Sequence, residues 1–203
     1  VEEKLNSVVH PPPSLGLDNR KFGIWAFLAS EVLFFSVLIA NFLVMSKLDP
    51  PGTFHGVATG QELLNIPVTA LNTFILLTSS FTVVLALQGI QQDSQFKLRL
   101  FLILTLIFGG TFIGIQAYEY YELIVVEGLG MDSLFGSSFF TLTGFHGLHV
   151  IGGLIWLLIL LPKAFGLMGG FSAKDNMGVE VFGLYWHFVD VVWLLLFSLV
   201  YLI

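Results

Sequence analysis

The sequence predicts an all-α fold, a polytopic membrane protein built as a bundle of five transmembrane helices, and three observations carry that prediction. Hydrophobic residues make up 56% of the 203 and charged residues only 11%, with a mean hydropathy of +0.88. A water-soluble domain of this length has too little interior to hide so much apolar surface. Five apolar runs each approach the roughly 20 residues that a helix needs to cross a hydrocarbon core about 30 Å thick. Membrane strands would instead alternate polar and apolar residues, and runs such as Phe101-Leu102-Ile103-Leu104-Thr105-Leu106-Ile107-Phe108 do not.

Taken in order, residues 1–21 are polar and carry Pro11-Pro12-Pro13. They lack the apolar core and small-residue cleavage site of a secretory signal and read as a poorly ordered extramembrane tail. The remaining residues, 22–203, read as one membrane domain. The first span covers 22–45 and encloses a carboxyl group, Glu31, about 13 Å from its start. The second, 68–87, opens just after Pro67, since proline is tolerated in a first helical turn. The third, 98–118, runs out into Tyr118-Glu119-Tyr120-Tyr121-Glu122. The fourth, 138–161, carries Gly144-Phe145-His146-Gly147-Leu148-His149. The fifth, 179–203, carries Tyr185-Trp186-His187-Phe188-Val189-Asp190-Val191-Val192-Trp193. Pro50-Pro51-Gly52, Gly128, Gly130, Gly166 and Gly169-Gly170 punctuate the connections, which leave no room for a sizeable soluble domain.

Within the spans, Gly109-Gly110, Gly114, Gly144, Gly147 and Gly152-Gly153 are expected to let helices approach closely, because apolar transfer drives little association in lipid. Trp25 and Trp186 are candidates for interfacial anchors, whereas Trp193 lies too far inside its span and reads as packing. Charge excludes some functions. A net charge of -6 with scattered lysines and arginines gives no surface for nucleic acid. The absence of cysteine excludes disulfides and thiolate-ligated metal centres. Of the eight basic residues, Lys4, Arg20, Lys21, Lys97, Arg99, Lys163 and Lys174 fall on one side of the membrane and only Lys47 on the other. The positive-inside rule then puts the N-terminus in the cytoplasm and the C-terminus outside.

The ionisable groups inside the spans are the candidate functional residues, because charge at that depth is costly. Glu31 must be protonated, paired or beside water or a lipid headgroup. His146 and His149, His187 and Asp190, and Glu119 and Glu122 each repeat a three-residue step, which is expected to put the members of a pair on one helix face. Three histidines with several carboxylates admit a metal site or a bis-histidine haem. The Glu-x-x-His motif of four-helix di-metal proteins is absent, and two of the three histidines share a helix. Interhelical hydrogen bonding, or a polar network handling protons or holding lipid, accounts for them more simply. A small transporter using the buried Glu, His and Asp is the alternative from another class. It would show repeats or broken helices, and none is evident.

The same stretches, with Ser30-Glu31-Val32-Leu33-Phe34-Phe35 and Leu71-Asn72-Thr73, resemble subunit III of the haem-copper respiratory oxidases, the cytochrome c oxidase subunit 3 family, in its five-helix bacterial type. The resemblance covers nearly the whole chain, five motifs in order. The mitochondrial form has seven helices, and the first span here matches its third, so lipid held in the cleft of the longer form need not be held alike. The resemblance implies a non-catalytic subunit of a proton-pumping terminal oxidase in a bacterial cytoplasmic membrane. Such a subunit packs on subunit I, assembles with subunit II, and supports proton uptake or oxygen access. Haem and copper are then expected in subunits I and II, with no cofactor in this chain beyond bound phospholipid. Glu31 matches the membrane-buried glutamate of the family. Cytochrome c and quinol oxidases share these motifs. The Ser-Glu-Val-Leu-Phe-Phe context is closer to the cytochrome c branch.

Overall fold

The computed structural model describes residues 19–48, 63–167, 169–173 and 175–202. Most of the N-terminal tail, with Lys4, and also Pro50-Pro51-Gly52 and Lys174 lie outside the described residues. Among the described residues five α-helices follow in order: α1 (Asn19–Met45), α2 (Ile66–Gln91), α3 (Gln95–Tyr121), α4 (Leu134–Ala164) and α5 (Met177–Leu196). All five are long and apolar enough to cross a membrane. Two of them end in a π-helical turn, α3 at Glu122–Val126 and α5 at Phe197–Leu202.

Each helix outruns its apolar stretch by a few residues, because a helix keeps its backbone hydrogen bonds satisfied as it leaves the hydrocarbon. Local chemistry sets the ends. Asn65 caps α2 by accepting from Val68 N at 3.4 Å, and Pro67 sits in the first turn, where its missing N–H is no loss. Ser133 caps α4 by accepting from Gly136 N at 2.9 Å. Position 136 has to be glycine, since a Cβ there would stand 2.1 Å from Gly130 O. Pro162 lies within α4 but in its last turn, close enough to the end for the helix to continue to Ala164. Gly128, Gly166, Gly169 and Gly170 adopt positive φ, in keeping with their place in the connections.

Antiparallel α2 and α3 form the tightest pair, and α5 packs against α2 and α4, with α1 laid over α4 and α5. Only Ile24, Leu28, Phe35 and Phe42 of α1 are buried, a single stripe, so most of α1 faces outward. In α2 the pattern is inverted relative to a soluble helix: Thr69, Asn72, Thr73, Ser79 and Thr82 all lie in the interior.

Tryptophan positions correct one expectation. Trp186 is not an interfacial anchor but is wholly buried. Its indole donates to Ser79 Oγ at 2.9 Å and is flanked by Gly109 of α3 and Gly153 of α4, where an added Cβ would meet the ring at 2.9 and 2.7 Å. Trp193 is also core and donates to Thr73 Oγ1 at 2.9 Å. Close packing thus applies to Gly109 and Gly153, whereas Gly110, Gly114 and Gly147 have nothing within 4 Å of such a Cβ. Trp25 remains exposed.

Candidate functional site

One end of the bundle is basic. There Lys21 pairs with Glu180 at 2.6 Å and Lys163 with Asp175 at 2.8 Å, while Arg99 Nε donates to Ala164 O at 2.9 Å. The Lys163 ammonium holds the Asp175 carboxyl below the ordinary aspartate value, because it favours the charged form. The opposite end carries Glu119, Glu122 and Glu127, which line a pocket of about 380 Å³ with Asn65, Pro67 and Leu123.

Between these ends the ionisable residues sort into separate groups. Glu31 and His149 meet across α1 and α4, His149 Nε2 lying 3.1 Å from Glu31 Oε2, with both side chains less than one-fifth exposed. Each stands about 20 Å from the ends of its helix, close to mid-depth. The second ring nitrogen, Nδ1, lies 2.7 Å from Phe145 O. A carbonyl can only accept, so Nδ1 carries a hydrogen. The short Nε2 to Oε2 contact then requires one further proton, held either by the carboxyl group or by the ring. Phe34, Phe35 and Phe145 surround the pair, with Phe35 5.0 Å from the imidazole, so few solvent dipoles reach it.

His146 turns the other way. Its Nε2 donates to Val189 O on α5 at 3.2 Å, and its ring lies 4.8 Å from that of Trp193. The three-residue step does not align His146 with His149 as expected, because at 3.6 residues per turn it leaves about 60° between them. That is enough to address different helices. The same offset does not part His187 from Asp190, since both stand beside Ser80 of α2. His187 Nδ1 bonds Ser80 Oγ of α2 at 2.5 Å. Both Asp190 oxygens lack a well-formed hydrogen bond among the described residues, although Ser80 stands beside them. Glu119 and Glu122 both line the pocket at the acidic end but differ in depth: Glu119 is buried, and its Oε1 accepts from Thr69 Oγ1 and Tyr201 OH, each at 2.9 Å. Glu122 stays half-buried at the pocket.

Sequence reasoning missed the partners Thr69, Ser80 and Tyr201, the Trp186 acceptor Ser79 and buried Gln116 of α3. For the three on α2 the available signal was the recurrence of small polar residues at three- and four-residue steps, the register of a buried stripe. Among the described residues no three His, Asp or Glu side chains converge as metal ligands would.

Fold and polar groups together define a class, a multi-pass helical membrane protein with acids and histidines buried among its helices. Comparison with known proteins carries this further. The family described as cytochrome c oxidase subunit III matches residues 14–203, and the chain belongs to that family. It is 34% identical over 206 residues to cytochrome c oxidase subunit 3 of Bacillus sp. PS3, covering 99% of this chain and 96% of the relative. It is 35% identical over 185 residues to cytochrome bo(3) ubiquinol oxidase subunit 3 of Pseudomonas aeruginosa, covering 91% and 85%. With cytochrome c oxidase subunit 3 of Pelomedusa subrufa it shares 37% over 195 residues, covering 95% of this chain and 72% of the relative. The relatives thus include third subunits of both cytochrome c and quinol oxidases, and the chain is accordingly a subunit of a haem-copper oxidase rather than a transporter.

Proposed function

We propose that the chain packs directly against subunit I, beside subunit II, of a proton-pumping terminal oxidase, holds the catalytic subunit in its working shape and supports its proton uptake or oxygen access. Haem and copper reside in those partner subunits. Residues 22–203 act as one membrane domain in a bacterial cytoplasmic membrane, with the basic end in the cytoplasm and the C-terminus outside, as the distribution of lysine and arginine favours. Phospholipid lies along α1, where an apolar groove of about 430 Å³ runs between Trp25, Leu28, Val32, Phe188 and Val191.

The observation that carries this reading is the Glu31 and His149 contact. A proton-sharing pair at mid-depth on the outward helix of the bundle is placed either to fix α1 for a partner or to relay a proton toward it. The test is Glu31→Ala in the purified oxidase, scored for turnover-dependent inactivation and for retention of the chain in the complex. Faster inactivation or loss of the chain is expected. Unchanged values of both would refute a role for the pair. Which electron donor the complex uses follows from the co-purifying subunit II: a dicopper motif with paired cysteines means cytochrome c, and its absence means quinol.

A further inference from the structure

Seven buried side-chain atoms have no hydrogen-bond partner among the described residues: Asn72 Oδ1, Gln116 Oε1 and Nε2, Glu119 Oε2, His146 Nδ1 and both oxygens of Asp190. None of these five residues is more than 5% exposed. They are also neighbours. Asn72 Nδ2 donates to Phe112 O at 3.1 Å, Gln116 stands one turn beyond Phe112 on α3, and Glu119 stands one turn beyond Gln116. The Phe112 ring meets His146 at 5.9 Å and Trp193 at 4.9 Å, and Asp190 precedes Trp193 by one turn of α5. All five thus border one seam where α2, α3, α4 and α5 come together.

The chemistry of the atoms selects the ligand. His146 Nε2 faces a carbonyl and so carries the ring hydrogen, which makes Nδ1 an acceptor. Asn72 Oδ1 can only accept, while Gln116 needs both a donor and an acceptor. A small molecule that offers two hydrogens and two lone pairs satisfies this mixture; that molecule is water, which in protein interiors occupies such polar sites. An opening reaches the seam at the acidic end, where Glu119 lines the pocket. The carboxylates step inward from exposed Glu127 through half-buried Glu122 to buried Glu119, and all three line the pocket at the acidic end. Toward the basic end, the buried polar groups are already paired, Trp186 with Ser79 and Thr82 with Thr105, among Val83, Ala86, Leu102 and Phe182.

We propose that this seam binds a file of water that enters from the acid-lined pocket and ends at Asp190, so that protons on the buried groups exchange with one side of the membrane only. Because the seam lies entirely within this chain, the proposal stands apart from the contact with subunit I and from the role of Glu31. The test is millisecond X-ray radiolysis of the intact oxidase in ¹⁸O-water, in which bound waters are activated in place and oxidise the side chains they touch. Phe112, His146 and Trp193 are expected to take up ¹⁸O at rates within about tenfold of exposed Met131, despite being at most 1% exposed against 72%, while equally buried Phe182 stays unlabelled. Absence of label at Phe112, His146 and Trp193 overturns the proposal, as does equal labelling of Phe182, which would mean general penetration. Entry is tested by Glu122→Trp, which fills the pocket. After a brief mixing with ¹⁸O-water, label at Phe112 is expected to fall at least tenfold in this variant, and an unchanged value would refute the entry route.

Discussion

Gly153→Ala is the most direct test of the packing that holds α5 in place. The new methyl group would stand 2.7 and 2.8 Å from two carbons of the Trp186 ring and 3.1 Å from the Tyr185 ring. The indole has no free space. Trp186 is fully buried, tied to Ser79, and backed on its other side by Gly109, and Tyr185 OH donates to His149 O at 2.8 Å. Overpacking in such a site costs about 1–3 kcal/mol, and shifting the indole off Ser79 adds about 1 kcal/mol. A loss of about 2–4 kcal/mol, or roughly 5–15 °C in unfolding midpoint, is therefore expected. The assay is a thermal ramp of the purified oxidase in detergent, following the fraction of the chain that remains folded within the complex. Gly110→Ala is the control, with open space at the methyl position and an expected change of no more than about 0.5–1 kcal/mol. Trp186→Ala should suppress the cost of Gly153→Ala, giving a coupling of about 1–3 kcal/mol. Equal midpoints for Gly153→Ala and Gly110→Ala would refute the clamp.

Tyr201→Phe removes one of the two donors to Glu119 and should destabilise the acidic end by about 1 kcal/mol; local hydrogen exchange at the last turns of α3 and α5 checks this, and an unchanged rate would count against it. His149→Leu leaves Glu31 without its ring partner and should cost about 1–3 kcal/mol in retention of the chain. Adding Glu31→Leu should recover part of that loss, and a double variant worse than either single one would show the pair does not act as a unit. Lys163 depresses the Asp175 carboxyl from an ordinary value of 3.8. The favourable contribution is present above that value and lost as pH falls through the lower folded one. Carboxyl ¹³C NMR should give an Asp175 midpoint below 3.8 that returns toward it in Lys163→Met, and a midpoint unmoved by that change would refute the assignment. Because Asp175 is largely exposed, solvent screening keeps the effect on stability small.

The sequence alone determined the five spans, because a run of about 20 apolar residues has one stable solution in lipid, a helix with its backbone bonds satisfied internally. It also determined which ionisable groups lie deep in those spans and, through five ordered motifs, the family. What it did not determine is which way each helix faces. In a soluble protein the apolar stripe marks the inside, but here lipid and core are equally apolar, so Leu33 on the outside and Leu76 on the inside look alike. Only the tertiary structure set the register of each helix about its own axis. That rotation turned His146 to Val189 and His149 to Glu31. It also brought Tyr201 to Glu119 across 82 residues and chose Gly109 and Gly153, not Gly110 or Gly147, as the seats of Trp186. Van der Waals fit and hydrogen bonds between helices make those choices, and both depend on side chains far apart in the chain.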